Sequence, residues 1–391
     1  MGMLRLFLAI SVLVAHTGPI FGLNLMFSDV AVKLFFIISG FYMSLVLSGK
    51  YEGGSLRWTF YSNRFLRLYP AFLLVTLTSL GVFLAAEFMP NAPERSIYVS
   101  EIVRRFSGAH GQLGGFSLVA LMIPNIMIVG SDIAFLFHHS VNTGWEFTFG
   151  ILAHYPGAVR GGSYLLNPPA WSIGIELWFY LLVPTLSRAK TPIIILLAAA
   201  SLALRLWMDW KHPWITYFFF PAALCFFLYG MLAHRFWASS LFKSVAIPSR
   251  VWAIAGCGLA LLMLREFIPG YRNHPWMIYT VAVFSLPFVF QAFKNIRWDR
   301  WVGNMSYPVY LFHTVIIAAV YDFLGSHSTP LIIGLTLAVS IVVNFFVEEP
   351  LERFRQRRAS KQKSAGISGS DTISPAGSTL GVEESRQVPV P

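Results

Sequence analysis

Apolar runs of about twenty residues recur along most of this chain, separated by short polar stretches that hold most of its Lys and Arg. A helix rising about 1.5 Å per residue needs a run of that length to cross roughly 30 Å of hydrocarbon. The runs fall at 4–23, 29–48, 68–89, 171–186, 192–208, 215–233, 249–264, 276–292, 303–323 and 331–349. A weaker apolar piece covers 116–130. Polar and apolar residues do not alternate within them, which disfavours a membrane β-barrel. The pattern predicts an all-α polytopic membrane helix bundle with about ten transmembrane helices.

Basic residues orient the bundle. With the N-terminus inside, the 49–67 loop (Lys50, Arg57, Arg64, Arg67) and the 187–191, 234–250 and 293–302 loops are cytoplasmic. So is the C-terminus, with Arg353, Arg355, Arg357 and Arg358. This alternation requires residues 90–170 to return to the outer side, as an excursion containing Arg104, Arg105, His110, Asp132, His138, His139 and Glu146. A loop that long is expected to be functional or disordered, and its aromatic content favours order. The membrane domain is therefore expected over 1–355 and a disordered, polar cytoplasmic tail over 356–391.

Composition agrees. The chain of 391 residues is 56% hydrophobic and 12% charged, against about 25% charged in soluble domains; its mean hydropathy is +0.62. The net charge of +11 would suggest nucleic acid in a soluble protein. Here it sits in short loops, which points to the inner membrane and a lipid bilayer partner rather than nucleic acid. Cys225 and Cys257 lie inside apolar runs, and the scattered histidines have no ligand spacing, so no metal is expected. The N-terminus has a signal-peptide-like charge and apolar run, but no small-x-small site follows, and a retained first helix is expected.

Five polar stretches interrupt the apolar background. Arg5 and His16 are eleven residues apart, about 16 Å along a helix and on one face. Arg5 would lie near one surface and His16 more than halfway across, where an ionisable group is a functional hypothesis by default. The plainer readings are an interfacial anchor for Arg5 and an interhelical hydrogen bond for His16. Ser39 and Gly40 follow in LFFIISGF and suit close helix packing; no nucleophile elbow surrounds Ser39. Arg64 and Arg67 share a helix face on the Arg5 side, a geometry suited to phosphates, whether of a ligand or of lipid headgroups. Trp171 marks an outer interface, with Glu176 about 7 Å below it. That places Glu176 near the depth of His16, where it could orient the imidazole or pair structurally with a cation elsewhere. Ser306, Tyr310 and His313 share a face, as a site or as a polar network between helices.

Taken together these stretches resemble the acyltransferase 3 family of integral-membrane acyltransferases, over about residues 4–355. The matching elements are Arg5-x10-His16, FFxxSGF at Phe35 to Phe41, Arg64-x-x-Arg67, WSxxxE at Trp171, Ser172 and Glu176, and SYPxYLxH at Ser306 to His313. Two features depart from the pattern: little sequence precedes Arg5, and only a polar tail follows the last run, so the SGNH-type domain of some members is not expected. The resemblance implies an acyl-CoA co-substrate, acetyl-CoA in the simplest case, with no permanently bound cofactor. It also implies a hydroxyl acceptor on an exopolysaccharide, O-antigen or lipid-linked sugar, with envelope-glycan assembly proteins as partners.

The expected mechanism makes His16 the general base for the acceptor hydroxyl, with Glu176 orienting it. Arg5, Arg64 and Arg67 hold the donor phosphates, and Ser39, Trp171, Ser306, Tyr310 and His313 support the site. A covalent acyl-histidine is the mechanistic alternative. The rival from another class is a transporter or flippase of a lipid-linked or acylated metabolite, which would also bury ionisable groups. No internal repeat supports it.

Overall fold

The computed structural model describes residues 1–49, 57–87, 115–140, 144–147, 159–264 and 274–358. Its helices are α1 Gly2–Thr17, α2 Ser28–Gly49, α3 Arg57–Glu87, α4 Gly115–Met127, α5 Ser131–Ala134, α6 Ala170–Leu186 and α7 Thr191–Lys211. They continue as α8 Pro213–Phe218, α9 Phe220–Ala238, α10 Ser240–Val245, α11 Pro248–Met263, α12 Pro275–Phe293, α13 Arg297–Leu324 and α14 Thr329–Val343. A π-helical turn, Asn344–Glu348, carries the last helix onward to Arg358.

Each of the ten expected runs overlaps a described helix, and the 215–233 run overlaps two. Among the described residues, six helices are long and apolar enough to cross a membrane, and α1, α6 and α11 are shorter apolar helices. The chain is thus a multi-pass membrane helix bundle.

Several boundaries differ from expectation, each for a local reason. The first helix ends at Thr17 rather than at residue 23. Gly18 takes φ 102° and donates its N–H to the Val14 carbonyl, and Pro19 follows. The third helix begins at Arg57, so Arg64 and Arg67 are helical rather than part of a loop. Its 31 residues extend about 46 Å, well beyond the hydrocarbon thickness. The expected 215–233 run is two helices, because the chain straightens at Phe219 (φ −94°, ψ 110°) and Pro221 opens the next helix. Proline there lacks only an N–H that would have no intrahelical partner.

Within the 90–170 excursion, the described part of α4 has 13 residues, about 20 Å, which is less than the hydrocarbon thickness. Its end is tied to α3, where the Tyr69 hydroxyl donates to the Ile126 carbonyl. The excursion also adds a feature absent from the all-α expectation. Three short antiparallel strands, β1 Phe137–Ser140, β2 Gly144–Phe147 and β3 Val159–Arg160, pair in the order β2-β1-β3. Arg104, Arg105 and His110, and the tail beyond Arg358, lie outside the described residues.

Two close approaches set the core. Helices α2 and α9 meet through a reciprocal glycine contact. A Cβ on Gly40 would lie 2.0 Å from the Phe227 carbonyl oxygen, and one on Gly230 would lie 1.9 Å from that of Ile37. Only glycine lets the backbones come this close, as small residues do at membrane helix interfaces. Helices α1 and α13 are joined at the start of α1, where the Asp299 carboxylate accepts from the backbone N–H groups of Gly2 and Met3 at 2.8 and 3.0 Å. A carboxylate there satisfies orphan donors and opposes the positive end of the helix dipole.

Gly40→Ala and Gly230→Ala should each cost about 1–3 kcal/mol, the range for overpacking a tight core. Thermal unfolding of purified protein in detergent checks this. An unchanged midpoint in both variants would mean that α2 and α9 are not so closely packed.

Candidate active site

Helices α1, α2, α3, α6 and α13 surround a narrow cavity of about 80 Å3. Arg5 enters it from α1, Ser39 from α2, Arg67 from α3, Glu176 from α6, and Ser306 and Tyr310 from α13. Five stretches far apart in the chain therefore meet in one space. The helical period explains which residues arrive: Ser39 and Tyr42 are three apart and Ser306 and Tyr310 four apart, so each pair shares a face.

Glu176 is the acceptor of this chamber. It receives hydrogen bonds from the Ser39 hydroxyl and, at 2.5 Å, from the Tyr180 hydroxyl one turn further along α6. Arg5 is near enough to feel both Arg67 and Glu176. Two guanidiniums and one carboxylate leave the chamber with an excess of positive charge. The Ser306 hydroxyl is turned to the Gly303 carbonyl of its own helix, at 2.6 Å.

His16 stands elsewhere. It is exposed in the last turn of α1 and lines a second cavity of about 250 Å3, with Trp171, Trp214, Tyr217 and Thr314 among its walls. Aromatic contacts hold this wall: Trp171 lies 4.5 Å from Tyr217 between ring centroids, and the Arg160 guanidinium sits 3.8 Å from the Trp214 ring centroid. Val32 and Tyr310 line both cavities, so the two chambers abut there. The Tyr310 hydroxyl is 2.7 Å from that of Ser172.

The expected pairing of His16 with Glu176 is therefore not formed. Because α1 stops at Thr17, His16 is at a helix end beside Trp171 rather than halfway across the bundle. Glu176 lies deeper along α6 and is engaged by Ser39 and Tyr180. The neighbour of His16 is His313, with ring centroids 5.3 Å apart. His313 is fully buried, and its Nδ1 lies 2.7 Å from the Tyr310 carbonyl oxygen. A carbonyl can only accept, so Nδ1 carries the proton and Nε2 of the neutral ring is an acceptor. That Nε2 has no hydrogen-bond partner among the described residues.

Arg64 does not line the central cavity. Its guanidinium lies 5.7 Å from the Phe60 ring centroid and 6.0 Å from that of Tyr180. Tyr42, Tyr180 and Tyr307 line the chamber without having been singled out from the sequence. The i+3 and i+4 spacings from Ser39 and Glu176 were the available signal for the first two. Trp214 and Tyr217 carried none, because the chain that brings them to His16 is a long-range arrangement.

Outside the chambers, α5 docks on α6 through Asp132. The Trp178 indole N–H donates to its Oδ2 at 3.0 Å, and Gly174 makes room for its Oδ1. Burial raises this carboxyl to about 6 against those donors.

A family model described as "Acyltransferase domain" matches residues 1–349. No curated protein and no solved structure matches the chain.

The raised Asp132 carboxyl gives a signed pH dependence. Between the ordinary carboxylate value and about 6 the folded protein keeps a proton that the unfolded chain has released, so stability falls as pH rises through that window. Asp132→Asn carries no charge at any pH. Its thermal midpoint relative to wild type should rise between about pH 4 and pH 7; a constant difference would contradict a protonated, buried Asp132.

Proposed function

Because this chain belongs to the acyltransferase 3 family, we propose that it moves an acyl group, in the simplest case acetyl, from cytoplasmic acyl-CoA to a hydroxyl of an envelope glycan. The observation that carries this reading is the meeting of two unlike chambers at Tyr310. One is lined by arginines, the other by a histidine among aromatic rings. The arginine end faces the cytoplasm by the distribution of basic residues, and the membrane is the inner one.

In this reading the donor approaches from the arginine end. Guanidiniums pair with phosphate oxygens in a forked geometry. Arg64 and Arg67 bind the donor's diphosphate, and Arg5 holds the charge further in. The thioester arm runs along the central chamber, past Ser39 and Ser306, toward Tyr310. The sugar enters the His16 chamber and packs on Trp171 and Trp214.

His16 takes the proton from the acceptor hydroxyl as that oxygen attacks the thioester carbonyl carbon. The new C–O bond forms, the C–S bond breaks, and the departing thiolate receives the proton held by the imidazolium. His313, tethered by its own Nδ1–H, positions the His16 ring and offers its Nε2 lone pair beside it. Glu176 acts one chamber away, keeping Arg5, Arg67 and Ser39 in place.

Purified protein in lipid, given acetyl-CoA and crude envelope glycan, should release CoA only when glycan is present. His16→Ala should lower that rate by about 10²–10⁴-fold, the usual contribution of a general base, with the thermal midpoint retained. Equal release by both proteins would remove His16 from the chemistry.

A further inference from the structure

A third cavity, of about 720 Å3, lies at the basic end of the bundle. Ser44 and Ser48 of α2, Phe60 of α3, Pro184 of α6 and the 187–191 turn line it, with His234 and Arg235 of α9 opposite. The three cavities are stacked in a fixed order. Along α2 they take Ser28 and Val32, then Val32 to Met43, then Ser44 to Ser48. Along α6 they take Trp171, then Ser172 to Tyr180, then Pro184. From Ser28 to Ser48 is about 30 Å of helix, the hydrocarbon thickness.

A thin partition separates the third cavity from the central one. Phe60 lines the former and Tyr180 the latter, with ring centroids 6.5 Å apart. The Arg64 guanidinium lies over both rings.

The cationic side chains here have different tasks. Arg235 is committed to the turn: it donates to the Ala189 carbonyl at 2.6 Å, to those of Leu186 and Ser187 at 3.4 Å, and to the Thr191 hydroxyl at 2.9 Å. That bracing fixes the turn carrying Arg188 and Lys190. Both are exposed, and among the described residues no carboxylate forms an ion pair with either. A braced turn therefore holds two cations, without a carboxylate partner among the described residues, over a cavity large enough for a nucleotide.

We infer that this cavity seats the phosphorylated nucleoside end of the donor, with Arg188 and Lys190 binding its ribose 3′-phosphate while the thioester arm passes the Phe60–Tyr180 partition. The inference rests on the acyl-CoA reading above. Anionic lipid headgroups share the phosphate chemistry, but the partition leads from this cavity to the chamber of Arg5, Arg67 and Glu176, which favours a ligand extending into the bundle.

The test compares acetyl-CoA with dephospho-acetyl-CoA, which lacks the 3′-phosphate, using full-length protein in neutral-lipid nanodiscs. Wild type should show a KM for acetyl-CoA roughly tenfold or more below that for the dephospho form, as charge-assisted phosphate contacts require. The double variant Arg188→Ala, Lys190→Ala should erase that preference, and Arg188→Lys with Lys190→Arg should retain it. Equal KM values in wild type, or a preference that survives the double variant, would overturn the inference. Binding of adenosine 3′,5′-diphosphate is measured separately on the same protein. Its absence, or its displacement by anionic lipid, also overturns the site. Nucleotide binding without any acyl transfer supports the site and defeats the proposed reaction.

Discussion

Charge inside an apolar bundle is the constraint on which this architecture depends. An ionised group taken from water is tolerated only where other charges, hydrogen bonds or trapped solvent stand in for it. Arg5, Arg67 and Glu176 meet that requirement jointly, because α1, α3 and α6 deliver them to one chamber. Ser39 and Tyr180 complete the carboxylate's shell. Without α6 the two guanidiniums would face each other with no carboxylate between them. The close approach of α2 and α9 at Gly40 and Gly230 matters for the same reason, since it fixes the face on which Ser39 meets Glu176.

Much of this was legible from the chain alone. The apolar runs marked the helices, and the interruptions marked the chemistry: Arg5, Ser39, Arg67, Glu176, Ser306 and Tyr310 do share one cavity. Helical periodicity made that possible to read, because it states which residues share a face. It does not state where a helix stops. The Gly18–Pro19 stop placed His16 at a helix end, and the depth argument that paired it with Glu176 failed there. The partner it has, His313, was visible only as a member of a polar face on α13.

The small sheet and the aromatic wall around His16 were less legible. Strands of two to four residues leave no period to read. Trp214 lines the second cavity and stacks with Arg160, from β3, a contact between residues 54 positions apart in the sequence. Nothing in local composition announces such a pairing.

The stacking of three cavities along α2 carries a further consequence, for permeability. Hollow spaces aligned through the thickness of a membrane offer water and protons a path between its two sides. Two walls interrupt that path: Val32 with Tyr310, and Phe60 with Tyr180. Opening both at once would short-circuit the ion gradient across the membrane. A path closed at either wall carries neither water nor protons, so the bulky aromatic residues there serve as insulation as much as contact surface.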